Sequence, residues 1–74
     1  MSIEPKYEIG EKVLFYNKIL DEWFEMNVVG IKAFVRKNIF GMMIQNVSYI
    51  VTEEGEDIEF EFMEKDLYRE KRNF

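Results

Sequence analysis

The chain contains no cysteine and no histidine. Without cysteine no disulfide can staple the fold. A zinc site would have to be built from carboxylates alone, an unfavourable donor set. The usual Cys- and His-based nucleophile arrangements are excluded as well. Proline occurs once, at Pro5, and the four glycines stand at 10, 30, 41 and 55. That dispersion cannot form a phosphate-cradling loop. The acids do not follow the spacing of a calcium loop either. No cofactor, metal or catalytic residue is therefore expected, and the chain reads as non-enzymatic. No apolar run is long enough to span a bilayer, and residues 1–8 lack the apolar stretch of a signal peptide. A cytoplasmic protein with no membrane partner is the expectation.

Apolar residues are plentiful: 47% of the 74 residues are hydrophobic and 16% aromatic. At this length a single core is close to the lower limit of self-sufficiency. Stability must come from apolar burial, at roughly 1.5–3 kcal/mol for each large side chain taken out of water. Charge is unevenly distributed. Residues 53–66 hold eight acids and one lysine, −7 by side-chain count, and the rest of the chain sums to +2, giving the net −5. Such a balance disfavours indiscriminate binding to phosphate backbones.

Within the acidic region Ile58, Phe60 and Phe62 alternate with Asp57, Glu59 and Glu61. Period two predicts a strand over residues 57–63 with one buried apolar face and one wet carboxylate face. Further strands are predicted over residues 13–16, 23–31 with an extension to 35, and 44–52, where β-branched and aromatic residues gather. Val29-Gly30-Ile31 interrupts the alternation of the second strand, and a glycine there suggests a bulge. Turns are expected at Gly10, at residues 36–38 and around Gly55. Residues 17–22 read as a polar-edged loop, with a short helix over 17–24 as the competing reading. Residues 39–43 are apolar without a clear period, and strand edge and loop both remain open. Residues 64–67 predict a one-turn helical corner before a last short strand. Residues 1–6 are a flexible lead-in, 7–69 one domain and 70–74 a flexible tail. Short strands with turn signals every 8–12 residues point to a small all-β domain, best closed as a five-stranded barrel.

Tyr7-x-Ile9-Gly10-Glu11-x-Val13-x-Phe15 resembles the opening of SH3-like small barrels, including Tudor-like and related bacterial and phage accessory domains. Glu22-Trp23-Phe24-Glu25-Met26-Asn27-Val28-Val29-Gly30-Ile31 resembles their second strand, and Glu64-Lys65-Asp66-Leu67-Tyr68 their returning turn. The resemblance implies an SH3-like fold that binds peptides, modified side chains, nucleic acid or other protein domains. Tudor-like members hold methylated side chains in an aromatic cage. Tyr16, Trp23, Phe40 and Tyr49 are the aromatics that this comparison brings forward here. The apolar segment around residues 39–43 departs from the usual short polar connection.

Three groups of residues are candidates for contact with a partner. Ile39, Phe40, Met42 and Met43 exceed what a small interior readily holds, and they read either as an adhesive protein-binding patch or as a core strand. Asp57, Glu59 and Glu61 form a docking face for a basic partner, a surface that imitates a nucleic-acid backbone, or a solvated strand guarded by charge. Trp23, among Asp21, Glu22 and Glu25, reads as an interface anchor or as a half-buried cap. The preferred expectation is an adaptor or inhibitor that binds a protein through the apolar segment. The alternative is weak nucleic-acid binding through Lys32, Arg36 and Lys37, which lie in an acid-free stretch with nearby aromatics. Self-association, with the basic turn of one copy against the acidic strand of another, makes a homodimer a further candidate.

Overall fold

A computed structural model describes residues 4–73. Five antiparallel strands form one sheet: β1 (Lys12–Asn17), β2 (Glu22–Lys37), β3 (Met43–Thr52), β4 (Glu59–Met63) and β5 (Leu67–Tyr68). A 3-10 turn, Glu64–Asp66, joins β4 to β5. The spatial order is β4-β3-β2-β1-β5. The sheet is not closed by hydrogen bonds, since β4 and β5 are its two edges. Of the predicted lead-in and tail, residues 1–3 and residue 74 lie outside the described residues.

The long β2 belongs to two pairings. Its first part, Glu22 to Asn27, pairs with β1, and Asn27 onward pairs with β3. The β2–β3 ladder shifts register just beyond this changeover, between Val28 and Gly30. This is the bulge expected from the sequence, and the reason is close packing: a Cβ on Gly30 would meet Ile50 Cβ and Cγ1 at 3.3 Å. A bulge increases local twist and bends the strand.

That bend brings side chains of non-adjacent strands together. Tyr7, Val13, Met26, Val28, Tyr49, Val51 and Leu67 form the buried core, with Phe15, Phe24 and Phe62 packed on it. Phe24, Met26 and Val28 alternate onto this inner face, as period two requires. Tyr7 meets Tyr49 edge-on at 5.2 Å between centroids. Their hydroxyls are also used: Tyr7 Oη donates to the Leu67 carbonyl at 2.8 Å, and Tyr49 Oη accepts the Lys6 amide at 2.9 Å. Glu64 accepts a further hydrogen bond from Tyr49 Oη. Arg69 then clamps the incoming segment, with Nε 2.7 Å from Glu11 Oε2 and Nη2 2.6 Å from the Lys6 carbonyl. Residues far apart in sequence thus tie both ends of the domain to one place.

The structure corrects three local expectations. The turn placed at residues 36–38 begins two residues later, at Asn38, because Arg36 and Lys37 are still paired, with Ile44 and Met43. β4 begins at Glu59, so Asp57 and Ile58 belong to the preceding loop. The expected buried face of Ile58, Phe60 and Phe62 is buried only at its end. Ile58 and Phe60 are exposed, while Phe62 reaches the core. β4 is an edge strand, so its start has a neighbouring strand on one side only.

Candidate functional site

β1 pairs with β2 only as far as Asn27, and β4 pairs with β3 only from Ser48. Residues 33–37 and 43–47 therefore form a two-stranded arm with no third strand beside it among the described residues. The arm contributes to an elongated body of 40 × 26 × 20 Å. A two-stranded ribbon buries little on its own, and here Phe34, Val35 and Met43 are exposed along it.

The tip is built by Asn38. Its Oδ1 accepts the amides of Phe40 at 2.9 Å and Met42 at 3.0 Å. Its backbone amide donates to the Met42 carbonyl, and its carbonyl accepts the Gly41 amide. Gly41 sits at φ 77°, where a side chain would be strained. An asparagine that bonds its own following backbone fixes a turn, and this one turns the intervening side chains outward. Ile39 is 93% exposed, Phe40 80%, and Met42 and Met43 62% each. Of the two readings left open for residues 39–43, loop holds for Ile39 to Met42, and Met43 opens β3.

The acidic and basic candidates are less separate than the sequence suggests. Glu61 Oε1 lies 3.0 Å from Lys32 Nζ, and its Oε2 accepts Ser48 Oγ at 3.0 Å. The lysine first and the serine second hold the Glu61 carboxyl below the usual carboxylate range. One acid and one cation of the proposed surfaces thus satisfy each other inside the molecule. Asp57 and Glu59 remain exposed beside Glu53, Glu54 and Glu56 in the β3–β4 connection. Arg36 and Lys37 are exposed on the arm and make no ion pair among the described residues.

Trp23 is half-buried on the outer face of the β1–β2 pair. Its ring lies 5.2 Å from Tyr16 and 5.7 Å from Tyr68 between centroids. Tyr49 is fully buried and Phe40 stands beyond the opposite end of β2, so the four aromatics suggested for a cage share no face. A second apolar turn escaped the sequence reading. Ile19 is exposed at the β1–β2 turn, where Asn17 Oδ1 accepts the Ile19 and Leu20 amides at 3.0 and 3.1 Å. The same side-chain-capped turn chemistry at Asn17 and Asn38 was the available signal. Between this turn and the domain body lies a cleft of about 530 Å³ lined by Phe15, Tyr16, Ile19, Phe62 and Tyr68 among others.

Among the described residues no group of three or more acids is placed to hold a metal ion, and no helix is long and apolar enough to cross a membrane. No protein-family model, curated protein or solved structure matches this chain.

Proposed function

We propose that this chain is an SH3-like small barrel acting as a non-enzymatic protein-interaction module, an adaptor or inhibitor of the cytoplasm, that docks through the tip of its β2–β3 arm. The observation that carries this reading is the rigid presentation of Ile39, Phe40, Met42 and Met43 to solvent by the Asn38 turn. A contiguous exposed apolar patch costs solubility unless a partner covers it, and methionines adapt to varied partner shapes. The barrel reading is supported by the strand order, by the bent β2 shared between two pairings and by the 3-10 turn before β5. Asp57 and Glu59 supply the orienting negative charge, and Trp23 is an anchor at the far end of β2.

The test is capture by the immobilised chain, compared with the double variant Phe40→Ser, Met43→Ser. Both side chains are exposed, so stability should change by no more than about 0.5 kcal/mol, while the captured partner is lost. A variant that unfolds, or one that retains the same partner, rules the reading out. A second reading, weak nucleic-acid binding, is favoured by the unpaired Arg36 and Lys37 beside exposed Phe34. It predicts an affinity for single strands that falls steeply with salt, whereas apolar docking persists.

A further inference from the structure

The two long edges of the arm differ in a way that points to a partner. Strand edges expose unpaired amides and carbonyls, and proteins commonly guard them with charge. The β2 edge follows that rule, carrying Lys32, Arg36 and Lys37. The β3 edge does not. Residues 38–52 contain no charged side chain at all, in a chain whose residues are 34% charged. β4 covers this edge only from Ser48 onward, which leaves residues 43–47, Met-Ile-Gln-Asn-Val, without a paired strand on that side among the described residues, with the Glu64–Asp66 turn beside their far end.

We propose that this edge is a homodimer interface: a second copy of the chain adds antiparallel to residues 43–47 of β3 about a two-fold axis through Gln45. The inference rests on the arm being a docking element and names what it docks with.

Charge selects the edge. A two-fold pairing along β2 would bring the unpaired Arg36 and Lys37 of each copy together, and like charges facing across strands are destabilising. A pairing along β3 brings none. Geometry then selects the register. β4 ends at Met63, opposite Ser48. Pairing centred on Gln45 sets Met43 against the partner's Val47 and Ile44 against the partner's Asn46, and it uses the whole unpaired segment without displacing β4. The next residue along, the partner's Met42, then arrives at the end of β4. An open notch of about 380 Å³ lies there, lined by Gln45, Asn46, Val47 and Met63 together with the charged Lys6, Glu64 and Lys65. The apolar tip of one copy thus has a place on the body of the other. Symmetric contacts of this kind close on themselves, so the product is a dimer and not a filament.

The experiment is sedimentation equilibrium on the full chain and on two variants, Gln45→Lys and Gln45→Glu. Gln45 is exposed, so both variants should keep the wild-type circular dichroism and melting. The wild type should approach twice the 9.0 kDa of one chain. Each variant alone sets two like charges across the axis and should dimerise on the order of five-fold more weakly at low salt. An equimolar mixture of the two should recover the dimer, since opposite charges then face each other. That recovery is specific to an axis at this residue. A wild type that stays at one-chain mass up to its solubility limit overturns the inference. So does a mixture that dissociates like its components. If the dimer survives both Gln45 variants but is lost in Arg36→Glu, Lys37→Glu, the copies meet through the arm's cations and the acidic loop, and the inference is again overturned. A monomeric wild type that still captures another protein through Phe40 and Met43 removes the dimer and leaves the proposed function standing. A monomeric wild type with no such capture removes both.

Discussion

The phenyl ring of Phe62 on β4 stacks on that of Phe15 on β1, with centroids 4.2 Å apart and planes 22° from parallel. Two whole strands, β3 and β2, separate β4 from β1 in the hydrogen-bonded sheet. The sheet has therefore curled until its inner faces meet, and side chains make a contact that no backbone ladder makes. Phe60 continues the stack, 6.2 Å from Phe62. Stacked aromatic pairs contribute about 0.5–1.5 kcal/mol beyond their buried area.

Phe62→Ala should therefore destabilise the domain by about 2–3 kcal/mol, less than the cost of removing a fully buried phenylalanine because Phe62 is half-buried. Phe60→Ala, at an exposed position, should cost about 1 kcal/mol or less. Urea unfolding of the two variants measures both. Equal costs would mean that the Phe15 contact does not hold the curl.

Glu61 governs part of the acid limb of stability. Its folded carboxyl titrates below the ordinary 4.5, chiefly through Lys32. A depressed carboxyl contributes stability that is present above the unfolded pKa and is lost as pH falls through the folded one. Glu11, bonded to Arg69, and Glu25, bonded to Lys12, are lowered in the same direction. Stability should thus fall as the solution is acidified below about 4.5. In Lys32→Met the Glu61 carboxyl should titrate closer to its ordinary value. Carboxyl-carbon NMR titration reads this directly, and an unmoved Glu61 would separate the two residues in solution.

Tyr49 governs the alkaline limb. Burial first, and the Glu64 carboxylate second, push its phenol above the ordinary 10.0. A raised acid contributes stability that is fully present below the unfolded pKa and is lost as pH rises through the folded one. Unfolding should therefore begin above pH 10. Tyr49→Phe should flatten that limb, while losing about 1–3 kcal/mol at neutral pH because the Lys6 and Tyr7 amides lose their acceptor. Denaturant melts at several pH values separate the two effects.

Several of these features were legible in the residues. The Val29-Gly30 interruption marked the bulge, where a Cβ on Gly30 would crowd Ile50. Gly55 marked the β3–β4 turn, where it sits at φ 81° and the Glu56 amide bonds the Glu53 carbonyl. Residues 64–66 formed the expected single turn. The arm was not legible. Phe34 and Val35 read as ordinary strand residues, and nothing near them states that β1 and β4 stop short of them. The pairing of Lys32 with Glu61, 29 residues apart, was equally hidden.

By itself the sequence determined where the chain extends and where it turns, since alternation, β-branching and the special freedom of glycine and asparagine act over a few neighbouring bonds. It also determined that the apolar tip would be uncharged. Only the tertiary structure decided which of those apolar residues went unburied. Burial depends on how far each neighbouring strand runs, and a strand's reach is set by partners that are distant along the chain.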